Sequence, residues 1–241
     1  IVALTTAQAA ALTTQQAVGI TTTQAAKLEG LDLSKMTTAA VNAITSAAFG
    51  AIDPSQIGNL GSTQLTALTG DQVKALTTAQ AVQLTASQTP GLMTAQASSL
   101  EDEDLAALTT GAFEKISPDV LSKLSSTQMG SLTTAQIVAL TTAQAAALTS
   151  TQAQGITTTQ TAALESGDLN KVSTAAFAAL NTAVVSGLSS TQVGALTSAQ
   201  VTALTTAQAA ALTSTQTVGL TTAQAAVMTG ADLAKLSTTA L

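Results

Sequence analysis

Apolar and polar positions recur along this chain with a period of eight. Every eighth residue from Leu4, through Leu12, Ile20, Leu28 and Met36 to Val172 and Leu236, is aliphatic or Met, with no insertion or deletion in between. The unit is written most plainly in Leu140-Thr141-Thr142-Ala143-Gln144-Ala145-Ala146-Ala147. A fixed self-similarity of this kind marks an architecture built by repeating one small element.

Within the octad the second residue is Ser, Thr, Asp or Asn in 25 of 30 units, and the fifth is Gln in 19. Thr-x-x-Gln is a capping box: the Thr hydroxyl accepts from the backbone N–H three residues on, and the Gln side chain reaches back to the Thr N–H. The Leu before the cap and the apolar residue after Gln occupy the two places of a hydrophobic staple, as in Leu60/Leu65, Leu132/Ile137 and Leu196/Val201. Each octad therefore declares a helix start.

One continuous helix does not fit the pattern. Apolar residues fall at alternating spacings of five and three, and eight residues at about 100° each would turn the apolar stripe by roughly 80° per repeat. The helix must break once per octad, after about one and a half turns, with a bend at the next Leu. Gly at the eighth place, in Gly19, Gly91, Gly155, Gly187 and Gly219, fits a helix end that enters the left-handed region. Lys27, Lys35, Lys115, Lys123, Lys171 and Lys235 share that place, where a cation complements the carbonyl end. Helices this short are marginal alone, so stability must come from stacking. The pattern predicts an all-α fold: a solenoid, or superhelix, of very short capped helices, one per octad. The alternative is a three-faced β-helix with 24-residue rungs, since Thr favours strands. Parity opposes it, because apolar places five apart would point to opposite faces of a strand.

A longer period overlies the short one. Phe49, Phe113 and Phe177, the only aromatics, lie 64 residues apart at the sixth place of their octads, and Gly91, Gly155 and Gly219 keep the same spacing. Higher units of eight octads are expected at about 36–99, 100–163 and 164–227, within one continuous solenoid over residues 1–241 that forms a window of a longer array. Gly19 and Gly91 are 72 apart, so one whole octad, residues 36–43, has been gained there. The Phe rings follow Ala in the Gln place and are expected in the core. Pro54 and Pro118 stand one residue after the caps Asp53 and Ser117, where a helix tolerates Pro; Pro90 comes late in its octad and is expected to loosen a bend.

Composition narrows the function classes. Charged residues are 8%, and there is no Trp, Tyr, His or Cys, so the core is built from small aliphatic groups and thiol chemistry is excluded. A formal charge of −6 leaves no basic stripe for nucleic acid. Thr and Gln interrupt every apolar run, so no segment is expected to insert in a membrane. No base or nucleophile is set up, and catalysis is not expected.

Each higher unit carries one acidic octad with Asp in the Gln place: Asp32, Asp104, Asp168 and Asp232. A carboxylate there can still serve as a cap at the positive helix start. The densest oxygen cluster, Glu101, Asp102, Glu103 and Asp104, is the one candidate metal set, with calcium as the candidate ion and no other cofactor. Two functional readings follow. One is a structural rod, stalk or filament that associates with itself end to end or laterally. The other is a binding array whose Thr/Gln face meets glycan, mineral, ice or another cell.

The Leu-Thr-Thr-Ala-Gln and Leu-Thr-Ser-Thr-Gln units, covering nearly the whole chain, resemble those of very large, repetitive bacterial surface or secreted proteins of adhesin-like type. The resemblance implies export, an extracellular setting at the cell surface, and a role in surface structure or attachment; it carries over no functional residue.

Overall fold

The computed structural model describes residues 4–234 and 236. Among them every octad start is followed by a helical segment, giving α-helices of four to six residues and a single 3-10 turn, Thr89–Gly91, in the octad of Pro90. No strand occurs among the described residues, so the fold is all-α. Lys235 lies outside the described residues.

The local reason is the cap. In the helix Thr142–Ala146, Thr141 has extended backbone, its hydroxyl accepts from Gln144 N at 3.2 Å, and Gln144 Oε1 accepts from Thr141 N at 2.9 Å. The two halves are separable. Gly61 and Met93 have no hydroxyl, yet their N–H groups still donate to Gln64 and Gln96 at 2.7 Å. Pro54 and Pro118 open their helices just after Asp53 and Ser117, both of which cap through their side chains.

The chain divides into two compact units, Ile1–Lys123 and Leu124–Leu241, with the division between two octads. Within each unit a helix packs on the third one along. In the first, Thr6–Ala10 lies on Gly30–Lys35 and Ser46–Gly50 on Gly70–Lys74; in the second, Thr174–Ala178 lies on Ser198–Thr202, which lies on Thr222–Val227. Three octads thus make one turn of a solenoid, and the 24-residue rung considered for a β-helix is instead a triangle of short helices. Away from the first and last turns described, the first-place and sixth-place residues of the octads are buried together, as at Leu132/Ile137 and Leu196/Val201. Phe49, Phe113 and Phe177 are fully buried, so the rings are core.

The glycine expectation is corrected. No described residue has positive φ, and Gly19 and Gly187 close their helices in the right-handed region. Gly91, Gly155 and Gly219 are required for another reason: a Cβ there would run into the backbone of Ser62, Ser126 and Ser190 on the neighbouring turn. That contact accounts for the 64-residue spacing of the Gly and of the Ser-Thr-Gln segment it meets. The lysines are mostly solvated near helix ends, and the ion pair Lys115–Glu114, at 3.1 Å, is exposed, so it adds little.

Gly155→Ala should therefore cost about 1–3 kcal/mol through overpacking against backbone. Gly167→Ala, with nothing within 4 Å of the added Cβ, should be neutral or stabilising by up to about 1 kcal/mol. Denaturant melts of the two variants check the difference.

Candidate functional site: the glutamine clamp and the acidic octads

The fifth-place Gln does more than close its own cap. Its Oε1 is spent on the cap N–H, which leaves an amide NH2 with two donors. In the first unit, Gln72 Nε2 donates to Val41 O at 2.8 Å and Ile44 O at 2.7 Å. In the second, Gln200 Nε2 donates to Leu169 O and Val172 O, both at 2.8 Å. These acceptors are the end of one helix and the following bend residue on the preceding turn, 31 and 28 residues back. The same pair of bonds is made by Gln64, Gln80, Gln88 and Gln96, and by Gln160, Gln192, Gln208, Gln216 and Gln224. Each clamp gives the bend carbonyl, 28 residues back, a partner in an apolar interior and adds a second donor to the helix-end carbonyl, 31 back, which also accepts from the bend N–H.

The clamp revises the expected Thr/Gln face. From Gln64 onward the fifth-place Gln side chains are buried, and Gln56 before them is half-buried; the exposed surface of an octad is its second to fourth residues, Thr, Thr or Ser, and Ala. Gln8, Gln16 and Gln24, in the first turn, are exposed and keep only the box half of their bonding.

The acidic octads depart from this scheme. Asp32, Asp104, Asp168 and Asp232 are buried, as Gln would be, but the preceding Glu29, Glu101 and Glu165 make no side-chain cap bond. Thr229 does cap its octad, and its hydroxyl donates to Asp232 Oδ2 at 2.6 Å. Burial pushes the Asp104 carboxyl above the ordinary carboxylate range, against the pull of a hydrogen bond from the Thr78 hydroxyl, and nearby Glu101 and Glu103 push the same way. Asp168 is raised for the same first reason, with Glu165 adding to it. Asp53 is lowered, because its carboxylate accepts from the Ser55 hydroxyl and N–H.

The four candidate calcium residues are divided by the fold. Asp104 is buried beside Thr78, while Glu101 and Glu103 are exposed at the helix start on an open cleft that Lys74 also lines. Among the described residues no group of three or more His, Cys, Asp or Glu is placed to hold a metal ion. Of the candidates Glu101, Asp102, Glu103 and Asp104, Asp104 belongs to the interior and the other three to the surface of the helix start. No described helix is long and apolar enough to cross a membrane.

Two predictions follow from the clamp and the buried acids. Gln200→Ala should cost about 2–4 kcal/mol, since it strands the Val172 carbonyl and the Thr197 N–H, takes the second donor from Leu169 O and leaves a cavity, whereas Gln16→Ala, in the exposed first turn, should cost about 1 kcal/mol or less. Gln200→Glu keeps the acceptor for Thr197 N–H but sets lone pairs against both carbonyls. Its loss should be full at neutral pH and should shrink on acidification, as the protonated acid becomes a donor; thermal melts against pH read this directly.

For Asp104 and Asp168 the folded pKa lies above the unfolded one, so the folded state binds protons more tightly. Stability should rise as pH falls from neutral through the raised values toward the ordinary 3.8. The lowered Asp53 acts in the opposite sense and only below that value. The double variant Asp104→Asn/Asp168→Asn should be more stable than the parent at pH 7 and flatter in its melting temperature between neutral and mildly acid pH.

Comparison with known proteins finds the family model described as ALTTAQ repeat at residues 25–62, 50–86 and 161–198. No curated protein matches the chain. The first and third matched segments begin with octads in which Asp, Ala or Val replaces Gln and run into the Gln octads that follow, and the second covers Gln octads. With the octad, the cap and the inter-turn clamp repeating in both units, the chain is a repeat protein, similar over those segments to the ALTTAQ repeat.

Proposed function

We propose that this chain is structural repeat material of an extracellular rod, stalk or filament on a bacterial surface, acting as a spacer and not as a catalyst. The observation that carries the reading is the clamp: within runs such as those from Gln64 to Gln96 and from Gln192 to Gln224 each Gln octad bonds its turn to the one before, so further octads of this kind add without a new kind of contact. The exposed amides of Gln8, Gln16 and Gln24 are the same groups that clamp a preceding turn elsewhere. Buried Gln leaves hydroxyls and Ala outside, a surface suited to solvation. The resemblance to large repetitive surface proteins supports the extracellular setting.

A spacer sets length by copy number. Duplicating residues 124–187 should lengthen the particle in electron micrographs and leave its width unchanged, and antibody should label intact cells that produce the native protein. A duplicated chain that instead forms a rounder particle of unchanged length would overturn the spacer role.

A further inference from the structure

The Gln clamp is missing from whole turns, and on a schedule. In residues 100–123 the fifth places are Asp104, Ala112 and Val120; in residues 164–187 they are Asp168, Ala176 and Val184. None of these side chains has an amide to donate, and all are buried. Three successive octads are one complete turn, so the whole interface with the preceding turn lacks the clamp. Residues 28–51, with Asp32, Ala40 and Ala48, form an earlier turn of the same kind. Its start precedes that of the second by 72 residues and the second precedes the third by 64. The higher period is therefore five clamping octads followed by one clamp-free turn; the gained octad, 36–43, lies inside the first such turn, and Gln56 just after that turn accepts from Gly30 N and donates to Ser55 Oγ instead of clamping.

What joins these interfaces is different in kind. The turn at 100–123 meets the preceding one through Phe113 and Leu121, buried in the core, a hydrogen bond from the Thr78 hydroxyl to Asp104, and one from Thr89 Oγ1 to Ala112 O at 2.7 Å. The turn at 164–187 uses Phe177 and Val185 and a single bond from Asn181 Nδ2 to Gln154 O at 2.9 Å. Non-directional apolar contact, which tolerates sliding and reopening, replaces a row of paired amide bonds.

We propose that these turns are release lines: the solenoid opens reversibly between residues 76–99 and 100–123, and between 140–163 and 164–187, before it opens between clamped turns. Extension or stress then yields in blocks of about eight octads instead of unravelling evenly. The inference rests on the fold alone and stands whether or not the protein is a surface spacer.

Hydrogen exchange on the full chain tests it, together with brief digestion by thermolysin, which cuts before aliphatic residues and so finds a site in every octad. Amides in 100–123 and 164–187 should exchange at least ~10-fold faster than those of the clamped octads 188–227. The first cuts should fall in the same two turns and yield fragments differing by about 64 residues. Removing three clamps, in Gln192→Ala/Gln200→Ala/Gln208→Ala, should create a new early-cutting turn at 188–211. Installing donors, in Asp104→Gln/Val120→Gln, should slow exchange at 100–123. Uniform exchange and cutting along the parent chain, or no new cut in the triple variant, would overturn the proposal; the triple variant keeps it testable if the installed donors do not fold.

Discussion

The structure depends on one side chain forming hydrogen bonds in two directions at once. A Gln carboxamide has an acceptor and two donors on a planar group, and here the acceptor closes the cap of its own helix while the donors close the end of a helix on the turn before. A helix of five residues leaves most of its backbone groups without intrahelical partners, and burying many such helices would be prohibitive without a systematic remedy. The clamp supplies it with no charge and little apolar area. It also ties each clamping octad to a neighbour about four octads away, which turns marginal local helices into a cooperative coil.

Legibility followed distance in the chain. The cap, the staple, the break after each octad and the N1 role of Pro54 and Pro118 are settled by residues within eight of one another, and all could be read from the pattern. The clamp joins groups 28 and 31 residues apart, and its existence depends on how many octads make a turn, which no local rule sets. A signal was nonetheless present. A capping box accepts Glu as readily as Gln, yet no octad has Glu in the fifth place. Glu would serve the cap and fail the clamp, so strict use of the amide pointed to a second bond. The glycines misled for a related reason: the helix ends turn in ordinary backbone space, and what excludes a side chain at Gly155 is a neighbouring turn invisible to the local sequence. In the acidic cluster adjacency in sequence does not aim side chains together; Asp104 occupies an interior place and its neighbours do not.

The two periods are incommensurate. Eight octads are two turns and two thirds, so within the second unit Gly155 and Gly219 lie on different sides of the coil, as Phe49 and Phe113 do within the first. Whatever recurs with the long period is spread around the axis, whereas the Thr and Ser hydroxyls of the short period appear on every side. A ligand that needed acidic octads in a row would not find them on one face, and one that reads hydroxyls would find no preferred face at all.

The glycine contact bears on how such arrays change size. Clamps are defined only by counting octads backward, so slipped replication that inserts one octad within a run of Gln octads leaves every clamp with a partner. Gly155 and Ser126 are matched individually, and an octad inserted between them would set a bulkier residue against backbone. Recombination is thus free over most of the coil and penalised inside these short intervals. Duplications of the full long period preserve both kinds of contact wherever they fall, whereas a single added octad does so only outside these intervals.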